Sequence, residues 1–212
     1  MFFNEAGYKS GCFSLFLLKR NGFYRKYWFF IGNRSKSDAN PLVREKTRFN
    51  EAGHQMKKPE KTNVMRVLES KKIRYTAHEY EPDATLTGVQ IAAILGEDTS
   101  NVFKTLVTQG KSGQHYVFVI PVHAELDLKK AAKVSGEKSI EMIKQKELLP
   151  LTGYVHGGCS PIGMKKQFPT FLHITAENLE KIYVSAGKVG FQVELSPVDL
   201  INAAGCVSAD IV

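Results

Sequence analysis

Between about residues 102 and 120, two apolar runs flank a polar turn that holds Gly110 and Gly113. Apolar runs on either side of a glycine turn predict a β-hairpin. A hairpin commits the chain to antiparallel pairing, so the fold is not a regular array of parallel βαβ units. The first run, Val102-Phe103-Lys104-Thr105-Leu106-Val107, has a lysine embedded in it. Strand alternation sends Val102, Lys104 and Leu106 to one face and Phe103, Thr105 and Val107 to the other. An ammonium sharing a face with apolar side chains is partly desolvated unless an anion meets it. The plainer arrangement lays the lysine stem on apolar surface and lets its head reach water. Two glycine-rich loops further along the chain shift the balance towards a site around Lys104.

The hairpin belongs to a consistent set of signals that begins near Met56. Val64, Val67 and Leu68 mark a helix face, followed by a strand through Ile73, Tyr75 and Ala77. Thr87 with Gln90 forms a capping box for a helix over Gly88–Leu95, and Gly96 stands at its C-terminal cap. Asp127 caps a helix that ends at Gly136 and carries Lys129, Lys130 and Lys133. A short strand at Ile140–Met142 and a short helix before Pro150 come next. After a glycine-dense loop, Thr152–Gly163, strands are predicted at Phe171–Ile174, Ile182–Ser185 and Phe191–Leu195, with a helical turn near Thr175–Glu180. Ser196-Pro197 then opens a last helix that runs to about Gly205. The expected class is α+β: a single domain over 56–212 with a mixed, largely antiparallel sheet flanked by helices.

Residues 1–55 read differently. They hold ten of the 29 Lys/Arg but four of the 21 Asp/Glu, and so carry +6 of the net charge of +8. The basic balance is thus weak evidence that the main domain binds nucleic acid. The segment is rich in aromatics, including Trp28, without a steady helical or strand period. Its longest apolar run, Cys12 to Leu18, is too short to span a bilayer. Phe-Asn-Glu-Ala-Gly occurs at Phe3–Gly7 and again at Phe49–Gly53, too small a unit to make a repeat architecture. The expectation is an atypical basic and aromatic extension outside the domain, arising from upstream sequence translated ahead of a start at Met56. An RNA-binding arm is the alternative.

Cys12, Cys159 and Cys206 form neither a CxxC pair nor a Cys/His cluster, which argues against a disulfide framework or structural zinc and for a reducing cytoplasm. The Walker A and GxGxxG patterns are absent, so no nucleotide cofactor is expected. Backbone N–H groups in the loops Gly157–Gly163 and Gly187–Gly190 are suited to carboxyl or phosphate oxygens, although tight turns alone would use the same residues. Cys159, with His156 three residues before it, is a candidate nucleophile. A catalytic thiol needs a base in reach and a lowered pKa, and neither is implied by adjacency.

Three stretches taken together carry a resemblance: Phe103-Lys104-Thr105-Leu106, then Thr152-Gly153-Tyr154 through Gly157-Gly158-Cys159-Ser160-Pro161-Ile162-Gly163, then Tyr183-Val184-Ser185-Ala186-Gly187-Lys188-Val189-Gly190. In this order and over about residues 58–212, the chain resembles the YbaK-type aminoacyl-tRNA deacylases, relatives of the editing domain of bacterial prolyl-tRNA synthetases. The resemblance implies a cytoplasmic enzyme that deacylates mischarged tRNA, chiefly cysteine on the proline tRNA. It implies Lys104 as the catalytic residue. The substrate-binding set it implies is Tyr80, Thr105, Gly157, Gly158, Ser160, Pro161, Gly163, Gly187 and Gly190. It implies no metal and no cofactor, tRNA as substrate and prolyl-tRNA synthetase as a partner, with no membrane association. It also implies that the substrate's own thiol attacks the ester, which leaves Cys159 without a nucleophilic role. The alternatives are a relative acting on alanyl- or prolyl-tRNA, and a non-catalytic module that binds aminoacyl-tRNA or an amino acid.

Overall fold

The structure is a computed structural model that describes residues 13–20, 23–30 and 60–212. The chain divides into two compact units, Met1–Met56 and Lys57–Val212. In the first, β1 (Phe13–Arg20) and β2 (Phe23–Phe30) pair antiparallel, with Phe13 opposite Phe30 and Arg20 opposite Phe23. Both strands have apolar residues at successive positions, a pattern that a search for period-two alternation passes over. The two Phe-Asn-Glu-Ala-Gly copies lie outside the described residues.

The second unit runs α1 (Asn63–Ser70), β3 (Thr76–Glu79), α2 (Gly88–Leu95), β4 (Phe103–Gly110), β5 (His115–Pro121), α3 (Leu128–Ser135), β6 (Ile140–Met142) and α4 (Gln145–Thr152). It continues with β7 (Thr170–His173), a 3-10 turn (Ile174–Asn178), β8 (Ile182–Ser185), β9 (Phe191–Leu195), α5 (Pro197–Ala204) and β10 (Cys206–Ala209). The strands form a five-stranded sheet in the order β10-β7-β5-β4-β6 and a three-stranded antiparallel sheet in the order β3-β9-β8. β7 lies parallel to both β5 and β10, which makes the larger sheet mixed. A parallel bridge from Val102 to Tyr183 joins the two sheets.

The predicted caps are met atom by atom. Thr87 Oγ1 accepts from Gln90 N while Gln90 Oε1 accepts from Thr87 N, and Gly96 closes α2 in the left-handed region. Asp127 Oδ1 accepts from Lys129 N and Lys130 N, and Ser196 Oγ accepts from Asp199 N. Three boundaries differ from the expectation. Ile73 and Tyr75 precede β3 and pack on the core from the connecting segment. α4 continues through Pro150, because the Thr152 hydroxyl and the Gly153 amide close the last turn on Leu148 O and Leu149 O. Beyond the last predicted helix, Cys206–Ala209 supply β10.

Both faces of the central hairpin are covered. Phe103, Val107, Val117 and Val119 enter the main core with Leu68, Ile162 and Leu200. Tyr116, Phe118 and Ile120 on the opposite face pack with Ala131, Phe171 and Ile211. β6 pairs with β4 only at Thr108–Gly110. Among the described residues, Phe103 to Leu106 therefore meet no sheet partner on that edge, and they line the cleft described next.

Candidate functional site

A cleft of about 740 Å³ opens along this edge, walled by β4, the start of α2, the turn after β5, the Ile143–Leu148 segment and the glycine loop at His156–Cys159. Lys104 and Thr105 both line it, although alternation places them on opposite faces of the strand, because the cleft wraps around the strand edge. Lys104 Nζ lies 3.1 Å from Glu125 Oε1, with the lysine side chain 29% exposed and the glutamate 92% exposed. The anion that the apolar surroundings of Lys104 called for is thus a solvated partner from the neighbouring turn. Such an exposed pair contributes only about 0–1 kcal/mol, so a substrate oxygen can take its place.

Thr105 Oγ1, Ser185 Oγ and Gln192 Oε1 are buried polar atoms on cleft-lining residues that have no hydrogen-bond partner among the described residues. An orphaned buried polar atom costs about 1–3 kcal/mol, and a cluster of them beside a cavity marks where a bound group completes the set. Thr105 was expected from the sequence. Ser185 and Gln192 were not, although both stand in predicted strands. Cross-strand register puts them opposite each other, and strand alternation alone gives no sign of which face meets a cavity. Tyr80 is buried, lines the cleft, and has its amide bonded to Gly190 O at 2.9 Å. Gly190, at φ +91° with Tyr80 O only 3.0 Å from where a Cβ would sit, permits this close approach.

Of the substrate-binding residues implied in the glycine loops, Gly157 lines the cleft, beside His156 and Cys159. Gly158, Ser160, Pro161, Gly163, Gly187 and Gly190 are not among the residues that line it. Ser160 is fully buried, with its hydroxyl accepting from Ile162 N. A Cβ on Gly158 would lie 3.1 Å from Val189 N and 3.2 Å from Lys188 Cα, so the two glycine loops meet backbone to backbone at this residue. Tyr154, whose hydroxyl donates to Ile162 O at 2.6 Å, fixes the far side of the same loop.

Cys159 lines the cleft, but burial pushes its thiol up to about 12, against a smaller lowering by a hydrogen bond to Thr152. A thiol raised in this way stays protonated near neutral pH, the reverse of an activated nucleophile. The cleft thus offers a cation with an exposed partner, orphaned hydrogen-bonding atoms and glycine backbone, and among the described residues no prepared thiolate.

A match to a known family spans the stretch that carries these residues, apart from Tyr80. The aminoacyl-tRNA editing domain model fits residues 82–203. The chain belongs to this family. An Enterococcus faecalis protein named "Putative Cys-tRNA(Pro)/Cys-tRNA(Cys) deacylase EbsC" is 46% identical over 156 residues, covering 73% of this chain and 95% of its own length. Among solved structures, hypothetical protein APE2540 aligns with a TM-score of 0.65 at 25% identity, covering 70% of this chain and 98% of that one. A "putative trans-editing enzyme for prolyl tRNA synthetase" aligns with a TM-score of 0.62 at 24% identity, covering 70% and 94%. These likenesses show the α+β fold of the editing domain, as the three motifs implied. Among the described residues, no helix is long and apolar enough to cross a membrane.

Proposed function

We propose that the unit Lys57–Val212 is the working domain and that it deacylates mischarged tRNA in trans, with cysteine on the proline tRNA as its chief substrate. The observation that carries this reading is a cleft with a displaceable lysine and, among the described residues, a lining thiol that is not activated, in a member of the editing family. The two substrates in the name of the E. faecalis relative share cysteine and differ in tRNA, which fits recognition centred on the aminoacyl group.

The chemistry then resides in the substrate. The cysteinyl thiol gives up its proton and its sulfur attacks the ester carbonyl, forming a C–S bond. The bond from that carbonyl to the ribose oxygen breaks, the ribose oxygen takes a proton, and a cyclic thiolactone and free tRNA result. Lys104 exchanges Glu125 for the oxygen that gains negative charge as the tetrahedral state forms and collapses. A preorganised charge of this sort stabilises the transition state more than the ground state. Thr105, Ser185 and Gln192 hold the polar groups of the aminoacyl moiety, and Tyr80 with Gly157 closes the remaining wall, so that thiol and carbonyl are held in an attacking geometry.

Deacylation rates on cysteinyl-, alanyl-, prolyl- and seryl-tRNA test this reading. Cysteinyl ester should be cleaved fastest and seryl ester far more slowly, since a hydroxyl is much the weaker nucleophile near neutral pH. Faster cleavage of alanyl- or prolyl-tRNA would require a water nucleophile and overturn the substrate-thiol mechanism. Tight binding without turnover of any ester would make the chain a binding module.

A further inference from the structure

The cleft floor continues into a second polar cluster that the deacylation chemistry does not use. On one face of the smaller sheet, His78, Gln192 and Ser185 form a cross-strand row, and Thr76, Glu194 and Tyr183 form the next. Gln192 and Ser185 are cleft residues. One step away, His78 Nε2 lies 2.9 Å from Glu194 Oε2, and Lys181 Nζ lies 3.1 Å from Glu194 Oε1. The Tyr183 ring meets the His78 ring edge-on at 5.3 Å and has Lys181 Nζ 5.5 Å from its centre.

Glu97 descends on this cluster from the end of α2. Its side chain is 4% exposed, its Oε1 lies 3.8 Å from His78 Nδ1, and neither oxygen has a hydrogen-bond partner among the described residues. Its amide is bonded to Ala92 O, so the carboxyl is attached directly to the helix terminus. Its neighbour Asp98 is turned away, accepting from Ser100 N. The other end of α2 forms cleft wall through Thr87, Gly88, Val89 and Ile91. Between the two ends, Ala92 packs with Val102, Val122 and Tyr183.

We propose that Glu97 is a positioning residue for the deacylation: uncharged, it seats the end of α2 on the His78–Glu194–Lys181 cluster, and on ionising it lifts that end and slackens the cleft wall carried by the same helix. Burial, and then the nearby Glu194 carboxylate, push the Glu97 carboxyl up to about 7, with Lys181 opposing them. The neutral form is therefore the seated one, present below about pH 7 and lost above it. A buried anion there would face the Glu194 carboxylate, with Lys181 as the cation that opposes it. The effect on turnover rests on the deacylase reading, whereas the seating of α2 can be measured without substrate.

The experiment is amide hydrogen exchange over Gly88–Leu95, corrected for intrinsic rates, between about pH 6 and 8.5, beside kcat/KM on cysteinyl-tRNA. Wild type and the variants Glu97→Gln and Glu97→Ala are compared. In the wild-type protein, protection of α2 should fall about fivefold or more across this range while β5 stays protected. Glu97→Gln, a permanently neutral carboxamide, should keep α2 protected throughout and remove the matching decline in kcat/KM. Glu97→Ala, lacking the seat, should loosen α2 at every pH. Protection of wild-type α2 that stays level with β5 overturns the proposal without reference to any variant, as does a Glu97→Gln profile that tracks wild type. PH-dependent seating with no turnover of any charged tRNA supports the role of Glu97 in α2 and overturns the substrate reading instead.

Discussion

Lys104 is held between two demands, an apolar strand that strips water from its stem and an exposed Glu125 that pairs with its head at 3.1 Å. The second hold is weak enough to be exchanged for substrate, and on the proposed mechanism the lysine is the residue whose loss should matter most. Lys104→Ala should lower the deacylation rate by about 10²–10³, the usual consequence of removing one preorganised electrostatic partner. Lys104→Arg should recover little of it, since a planar guanidinium does not replace a compact ammonium in a tight site. Cys159→Ala, in contrast, should stay within several-fold of wild type, because a thiol pushed up to about 12 does no work as an anion. Single-turnover deacylation of cysteinyl-tRNA checks all three. An inactive Cys159→Ala beside an active Lys104→Ala would place the nucleophile on the protein. At this scale the sequence was readable where chemistry and pattern conflict, as in a lysine inside an apolar strand. It was silent on Ser185 and Gln192, whose significance lies in being orphaned, a property that only packing creates.

The elements were legible in proportion to how local their determinants are. Caps and glycine stops depend on residues three or four apart, and α2, α3 and α5 begin and end where those residues stand. β10 was missed because its four residues gain their hydrogen bonds from β7, more than thirty positions away. Pro150 read as a stop, yet α4 runs past it because Thr152 and Gly153 supply the bonds that close the turn. The glycine loops were seen as loops, but their mutual contact was not. Gly158→Ala tests that contact: a methyl group 3.1 Å from Val189 N and 3.2 Å from Lys188 Cα meets backbone that cannot rotate aside. Overpacking of this kind costs about 1–3 kcal/mol, to be read as a lowered midpoint in urea unfolding. A midpoint unchanged from wild type would mean that the two loops separate freely and that Gly158 is not what fixes their spacing.

Across the whole molecule, the charge is concentrated away from the proposed working domain, and this shapes what tRNA binding can depend on. A chain beginning at Met56 should fold and deacylate like the full chain, and a large fall in melting temperature or rate would assign residues 1–55 to the domain. The remainder, residues 56–212, carries 19 Lys/Arg against 17 Asp/Glu, so a broad basic field is not available to steer tRNA. Contacts must come from local clusters, and several candidates are already engaged. Lys130 is paired with Asp210 at 2.9 Å, and Lys188 with Glu60 at 2.6 Å. Lys129, Lys133, Lys165 and Lys166 are exposed, and Lys165 lies against Gly153 at the root of the glycine loop. If those four each neutralise one phosphate, the logarithm of the affinity should fall against the logarithm of salt with a slope of about 3, at roughly 0.7–0.9 per contact. Reversing the charge of Lys165 and Lys166 together should lower that slope by about 1.5. An affinity that stays level from low to moderate salt would remove phosphate contacts from the account. Recognition would then rest on the aminoacyl group in the cleft and on whatever partner delivers the tRNA.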